Sequence, residues 1–355
     1  VARAAPLRVM LCDDSVAARG AMSRLLAEEP TLRIVARVAD GRAALHHLDT
    51  AAPGDRAEVV LLDLEMPVMD GMTALPLILR REPRPIAIVA SALTQRGAGA
   101  TMAALKAGAC DYVPKPTAAD GGLAGPGFRD ELLAKIKGWA RLGSGPAIGA
   151  RTRAAQPPRP AQPPRVLCIA ASTGGPQALA ALVRCLPRSL PVPLVLVQHM
   201  PAGFTAMLAQ HLDSLLGGPR IAEARDGDLL RPGQGVLAPG DRHLLIEADG
   251  PDLRVVLSEG PAENFCRPAA DPTLRSLVAA CGRRLHAVVL TGMGQDGLHG
   301  CEAVAQAGGT VWAQDEVSSV VWGMPGMVTR AGLAQFRGDP ATLGEALAWQ
   351  LGGAR

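Results

Sequence analysis

The sequence predicts an α/β protein of two domains, each built on a parallel sheet covered by helices. Three observations predict it. Short apolar runs alternate with stretches of helical composition in both halves of the chain, the pattern that produces βαβ units. The length, 355 residues, suits two domains. Between the halves lies a segment containing Gly-Ser-Gly-Pro and then Gln-Pro-Pro-Arg-Pro-Ala-Gln-Pro-Pro, a semi-extended tether with almost nothing to bury. The expected division is 1–140, a linker over 141–164, and 165–355.

In the first half, Leu7–Cys12 is an apolar strand ending in Asp13-Asp14, and Val59–Leu62 one ending in Asp63. Ile86–Ala90 ends in Ser91, and the short Asp111–Val113 runs into Pro114-Lys115-Pro116. Helical patterns cover Ser15–Glu29, Gly41–Thr50, Met72–Arg80 and Gly97–Ala107. Parallel sheets place their working site at the carboxyl ends of the strands, which gathers Asp13, Asp14, Asp63, Ser91 and Lys115. Three carboxylates in one pocket repel, so a cation is expected, and oxygen ligands with open positions suit Mg2+. A carboxylate beside Mg2+ can form an acyl phosphate, and a lysine can pair with it or with the phosphoryl group. An aspartate at a strand end is often only a helix cap, but five polar groups in register at four strand ends exceed what capping explains.

In the second half, Val166–Ala171 is a buried strand ending at Ser172. Thr173, Gly174, Gly175 and Pro176 turn the chain, and Gln177–Val183 is helical, with Pro176 in the tolerated first turn. A hydroxyl is thereby held where a strand meets a helix N-terminus, the setting of a nucleophile elbow, with alanine at its first glycine position. A phosphate-cradling or structural glycine turn fits the same stretch. Leu194–Val197 follows, ending in Gln198-His199-Met200-Pro201, then a helix over Phe204–Leu216. Gly235–Ala238, Leu244–Glu247 and Arg254–Leu257 form a β-rich insertion, and Thr273–Cys281 is helical. Ala287–Leu290 is a strand leading into Thr291-Gly292-Met293-Gly294-Gln295-Asp296-Gly297, followed by a helix over Leu298–Ala307 and a strand over Thr310–Ala313.

Ser172, His199 and Asp296 thus stand at three strand ends: a nucleophile, a base and an orienting carboxylate. Their order differs from that of α/β-hydrolases, which run Ser, Asp/Glu, His. Among the other histidines, His46, His47, His211 and His299 lie on helices, His243 begins a strand, and His286 precedes its strand at the wrong end. Backbone N–H groups near Thr173 and Met293 are candidates for an oxyanion hole. A competing reading exists. Gly292–Gly297 matches G-x-G-x-x-G after a strand, and Asp315 ends the next one near the spacing of a ribose-binding acid, so a nucleotide-binding oxidoreductase is the runner-up. Asp296 inside that fingerprint and the unexplained second turn at Ser172–Gly175 weigh against it. A non-catalytic signalling adaptor is the third class.

Composition narrows the rest. The chain is 48% hydrophobic but only 3% aromatic, so its cores rest on aliphatic residues. A net charge of +3 argues for neither nucleic-acid nor membrane attraction. Seven scattered cysteines without CxxC spacing read as reduced thiols of a cytoplasmic protein. No apolar run is long enough for a bilayer, and no signal peptide or DNA-binding helix-turn-helix is visible.

Residues 7–116 resemble a response-regulator receiver domain. The Asp13-Asp14 pair, Asp63 followed by Leu64-Glu65-Met66-Pro67 and Met69-Asp70-Gly71, Ser91, and Tyr112 three residues before Lys115 carry the resemblance. It implies a flavodoxin-like fold with a five-stranded parallel sheet and Asp63 as phosphoacceptor, with a histidine kinase as phosphodonor. It implies Asp13, Asp14, Asp63 and the Glu65 carbonyl as Mg2+ ligands, Ser91 and Tyr112 as switch residues, and Lys115 as the phosphate-binding lysine. Residues 166–330 resemble the catalytic domain of the chemotaxis protein-glutamate methylesterases. The matching stretches are Ala171-Ser172-Thr173-Gly174-Gly175, Gln198-His199-Met200-Pro201-Ala202-Gly203-Phe204-Thr205, Leu237-Ala238-Pro239-Gly240, Leu290-Thr291-Gly292-Met293-Gly294 with Asp296-Gly297, and Ala313-Gln314-Asp315-Glu316 with Gly323-Met324-Pro325. This implies a doubly wound α/β domain that hydrolyses glutamate γ-methyl esters on chemoreceptor cytoplasmic helices, releasing methanol, and deamidates receptor glutamines, with no metal in the ester step. It also implies an unphosphorylated receiver packed over the catalytic cleft. One segment departs from the family. After Glu263, where His/Arg-Pro-Ser-Val-Asp is common, the chain reads Asn264-Phe265-Cys266-Arg267-Pro268-Ala269-Ala270-Asp271. The departure is expected to bear on receptor side-chain preference, not on the chemistry.

Overall fold

The computed structural model describes residues 5–92, 94–115, 126–143, 162–216 and 220–352. The chain divides into two compact units, Val1–Pro146 and Ala147–Arg355. Most of the expected linker, 141–164, lies outside the described residues.

The first unit runs β1 (Leu7–Cys12), α1 (Val16–Ala27), β2 (Leu32–Val38), α2 (Gly41–Thr50), β3 (Val59–Asp63), α3 (Gly71–Ile78), β4 (Ile86–Ala92), α4 (Gln95–Ala107), β5 (Asp111–Lys115) and α5 (Pro126–Leu142). Its five strands are all parallel, in the order β2-β1-β3-β4-β5. Residue pattern alone marked four of them. The strand it passed over, β2, lies at the sheet edge, where only Leu32 is buried and Arg33 and Arg37 are exposed, so no continuous apolar run forms. By contrast β3 is buried throughout. Helix starts follow the sequence closely because Ser15, Asp40, Asp70 and Thr94 each accept an N–H from the third residue on, capping α1, α2, α3 and α4. Helix α5, unmarked in the sequence, ends two residues beyond 140; it buries Leu132, Ile136 and Trp139. The strand order reverses between β1 and β3, which opens a crevice at their carboxyl ends.

The second unit runs β6 (Val166–Ala171), α6 (Gly175–Val183), β7 (Leu194–Gln198), α7 (Phe204–Leu216), β8 (Arg220–Glu223), β9 (Gln234–Leu237), β10 (His243–Asp249), β11 (Asp252–Ser258), α8 (Ala270–Cys281), β12 (Leu285–Val289), α9 (Leu298–Gln306), β13 (Thr310–Gln314), α10 (Met324–Arg330), β14 (Phe336–Gly338) and α11 (Pro340–Gln350). Seven parallel strands form the sheet, in the order β14-β13-β12-β6-β7-β9-β8. From β6 the chain adds strands on one side and then crosses to β12 on the other, so the switch point lies between β6 and β12. Alternate residues of the central strands serve the two faces. Val166, Cys168, Ala170, Ala287 and Val289 share a core with Leu274 and Leu277 of α8, Cys301 and Val304 of α9, and Val328 of α10. Helix α6 packs against both α7 and α11. Of the expected β-rich insertion, only β10 and β11 form an antiparallel hairpin, against which α8 packs; the run at Gly235–Ala238 is instead β9, paired in parallel between β7 and β8 in the main sheet.

One histidine placement needs correcting. His286 does not precede its strand; it is the second residue of β12. It is buried against Trp312, ring centroids 4.4 Å apart, and burial pushes its pKa down to about 3. A neutral, apolar-packed ring at the amino end of the strand remains remote from the carboxyl-end chemistry. Among the described residues, no helix is long and apolar enough to cross a membrane.

Candidate active site

Strand register decides which residues meet in the second unit. Ala171 pairs with Gln198, so Ser172 and His199 are the next residues on adjoining strands. The His199 N–H reaches back to the Ala171 carbonyl (3.2 Å), and the Ser172 N–H donates to Thr291 O (3.0 Å). Gln198 fastens the ends together: its Nε2 donates to Ser172 O (2.9 Å) and to His199 O (3.1 Å). Gly174, at φ 74°, adopts the left-handed conformation that starts α6, and a Cβ there would lie 2.4 Å from Val320 Cγ2. A Cβ on Gly292 would lie 2.8 Å from that of Ser172, so only glycine lets the β12 loop approach the serine. The N–H groups of Thr173 and Met293 engage no other acceptor among the described residues.

His199 Nε2 lies 2.7 Å from Asp296 Oδ2. Asp296 is not at the strand end itself. It stands in the turn before α9 and turns back toward the N-terminus of α8, where Ala270 N (2.5 Å) and Asp271 N (3.1 Å) donate to it. Burial alone would raise its pKa, but His199 and these N–H groups hold the carboxyl below its usual range. Burial likewise works against a charged His199, but the Asp296 and Cys266 contacts outweigh it and raise the ring to about 10. The orientation fixes roles for the ring nitrogens: Nε2–H points at the carboxylate, and Nδ1 is the nitrogen left to accept a proton.

That second nitrogen has a neighbour sequence reasoning did not foresee. Cys266 Sγ lies 3.3 Å from His199 Nδ1. Among the described residues, the Ser172 hydroxyl makes no hydrogen bond. Asn264 Nδ2 donates to Asp296 Oδ1 (3.1 Å) and Asp271 Oδ2 (2.9 Å). The departing segment therefore touches two members of the Ser172–His199–Asp296 set, contrary to the expectation that it would leave the chemistry alone. Its reach comes from α8, whose first turn cradles Asp296. The fingerprint of the runner-up reading has other work here. Asp296 faces His199, and Asp315 Oδ1 accepts from Ser318 N (2.9 Å) and Oγ (2.6 Å), closing its own turn.

In the first unit, Asp13 follows β1 and Asp63 ends β3, on either side of the strand-order reversal. Lys115 Nζ bridges them, 2.8 Å from Asp13 Oδ2 and 2.7 Å from Asp63 Oδ2. Burial raises the Asp63 carboxyl against the downward pull of Lys115. Asp13, Asp14 and Asp63 each offer an oxygen, all within 4.8 Å of one another. Asp13 and Asp63 are buried and Asp14 is exposed. Such an all-oxygen donor set, open to solvent on one side, fits Mg2+. Glu65 N donates to Asp63 Oδ1 (3.3 Å), which keeps residue 65 beside the cluster. Ser91 Oγ donates to Gly97 O (3.0 Å), not to the acidic cluster. Tyr112 is buried, with Lys135 Nζ 4.8 Å from its ring centroid, and burial pushes its phenol well up.

Comparison with known proteins agrees in both halves. Residues 167–347 match the family model for CheB methylesterase, and residues 9–123 that for the response regulator receiver domain. A protein-glutamate methylesterase/protein-glutamine glutaminase of Paramagnetospirillum magneticum is 43% identical over 92% of this chain and 91% of its own length. One from a Nocardioides species is 44% identical over 93% and 91%. The crystal structure of the Thermotoga maritima CheB methylesterase catalytic domain superposes with a TM-score of 0.51 at 39% identity, covering 53% of this chain and 99% of that one.

Proposed function

The chain belongs to the CheB methylesterase family, with a response regulator receiver domain ahead of the catalytic domain, and from that premise we propose a receptor-demethylating hydrolase working through Ser172, His199 and Asp296. The substrates are glutamate γ-methyl esters on chemoreceptor cytoplasmic helices, and methanol is the leaving group; receptor glutamines are deamidated by the same route. Ser172 Oγ attacks the ester carbonyl as His199 Nδ1 takes its proton. The tetrahedral oxyanion is met by the uncommitted N–H groups of Thr173 and Met293, each worth about 3 kcal/mol in comparable sites. His199 then returns the proton to the departing methoxide, and a water repeats the sequence to free the glutamate. Asp296, braced by the N-terminus of α8, keeps the Nε2–H tautomer and stabilises the imidazolium. The observation that carries this reading is the 2.7 Å His199–Asp296 contact beside the register that seats Ser172 next to His199.

The receiver half is read as the regulatory input. Bound Mg2+, held by Asp13, Asp14, Asp63 and the Glu65 carbonyl, would supply charge neutralisation for phosphoryl transfer from a histidine kinase. Asp63 is the acceptor, Lys115 is already paired with it, and Ser91 would exchange its Gly97 contact for the phosphoryl group. Tyr112 repacks as that surface changes. An intramolecular docking equilibrium between the two units would then shift with phosphorylation, the tether keeping their effective concentration high.

The direct test is methanol release from methylated receptor by wild type and by Ser172→Ala. Loss of nearly all release is expected. Near-normal release by Ser172→Ala would remove the serine from its role.

A further inference from the structure

The Glu263–Cys266 turn places a thiol where the base must work. Glu263 and Cys266 exchange backbone hydrogen bonds (3.1 and 2.9 Å), and the two residues between them, Asn264 and Phe265, have φ of 51° and 63°. Two consecutive left-handed residues are characteristic of a type I′ turn, in which asparagine is favoured and phenylalanine is not. Such strain persists only where surrounding contacts over-determine it. Here the Asn264 bonds to Asp271 and Asp296 pin the turn, and Phe265 is left wholly exposed. The pinned turn sets Cys266 Sγ against His199 Nδ1. The sulfur is not an isolated thiol: it completes a chain of contacts, Cys266 Sγ to Nδ1 at 3.3 Å and Nε2 to Asp296 Oδ2 at 2.7 Å.

The other cysteines differ. Cys12, Cys110, Cys168 and Cys301 are buried. Cys185 and Cys281 are partly exposed like Cys266, but the Cys185 sulfur, just past the end of α6, sits on the Ala181 carbonyl of that helix at 3.6 Å, and burial raises the Cys281 thiol. Among the described residues, only Cys266 combines solvent access with a contact to an imidazole nitrogen.

We propose that Cys266 is a modification site that switches the esterase off: a small disulfide forms a mixed disulfide at its Sγ, and the added group covers the ring nitrogen through which His199 serves Ser172. The step balances with the small disulfide itself as oxidant: Cys266 is oxidised to the mixed disulfide and one half of the reagent is reduced to a thiol. Cys266 Sγ attacks one sulfur of the disulfide as His199 Nδ1 accepts the thiol proton. The reagent S–S bond breaks, a new S–S bond forms, and the proton leaves on the expelled thiolate. The proposal rests on the assignment of His199 as the base for Ser172.

The experiment uses the full chain and glutathione disulfide as the probe, with peptide mass analysis and methanol release as separate readouts. One adduct is expected at Cys266, with methanol release falling by about a hundredfold or more, as for loss of a general base, and dithiothreitol restoring both. Cys266→Ala should keep its own untreated rate under the same treatment. His199→Ala should form the Cys266 adduct more slowly, whereas Ser172→Ala should form it normally. The mass readout therefore stands even if the serine assignment fails. Adducts at Cys185 or Cys281 with Cys266 unmodified would overturn the proposal, as would a fully modified Cys266 with methanol release within twofold of wild type.

Discussion

The two sites share a location and differ in how far their atoms travel to reach it. Both lie at the carboxyl ends of parallel strands, at a reversal of strand order. In the receiver the key groups sit on the strands or one or two residues past them. Asp63 and Lys115 terminate β3 and β5, and Asp13 follows β1. Their side chains meet directly, and a lysine offsets the gathered negative charge. In the esterase only Ser172 and His199 are placed that way. Asp296 comes from a loop, its support from the first turn of α8, and Cys266 from a strained turn. The receiver site is an electrostatic cluster in which one lysine bridges two of three gathered carboxylates. The esterase site is a partly buried hydrogen-bond chain running from Asn264 and the N-terminus of α8 through Asp296 to His199, with Ser172 beside it, and its links come from different segments.

The strongest way to test that contrast is to break the chain at its centre. Ser172→Ala and His199→Ala should each reduce methanol release by about 10⁴-fold or more, and the double variant should lose little further, because such residues act as a unit. Additive losses would show two independent contributions. One link out, Asp296→Asn should be about a hundredfold less severe than removing the serine, and Asn264→Ala should cost roughly tenfold, as for removal of a group that orients a catalytic residue; steady-state kinetics on methylated receptor separates them. Changes in the receiver should leave that chemistry intact and alter only its control. Residues 165–355 alone should exceed the full chain severalfold without phosphodonor. Acetyl phosphate with Mg2+ should activate the full chain, and Asp63→Ala should abolish the response. Equal basal rates for the truncated and full chains would exclude simple restraint by the receiver.

The smallest expected effect is in pH dependence. His199 is raised to about 10, and in the proposed mechanism only its neutral form accepts the Ser172 proton, so methanol release should climb with pH above neutrality. Cys266→Ala removes one of the contacts that raise the ring, so the climb should move to lower pH. An unmoved profile would mean that the thiol does not act on the base. The same shift has a stability consequence. A raised histidine contributes fully below its ordinary value of 6.5 and loses that contribution as pH rises through about 10. Thermal melts of wild type should therefore fall more steeply over that interval than those of His199→Ala.

By itself the sequence determined both parallel sheets, most of their helices and the residues at their strand ends, because a buried strand is a run of aliphatic side chains and its carboxyl end is a fixed place in the fold. Asp13, Asp63, Lys115, Ser172 and His199 were legible for that reason. Edge strand β2 was not, since its exposed arginines erase the apolar run, and short elements such as β14 carry too few residues to show a period. Tertiary structure alone decided which histidine nitrogen faces Asp296, that the N-terminus of α8 supports that carboxylate, and that Asn264 and Cys266 enter the site. These depend on contacts between residues 26, 32, 67 and 97 apart in the chain. Sequence spacing carries no information about such contacts, because they are set by the helix packing and the turn that direct them.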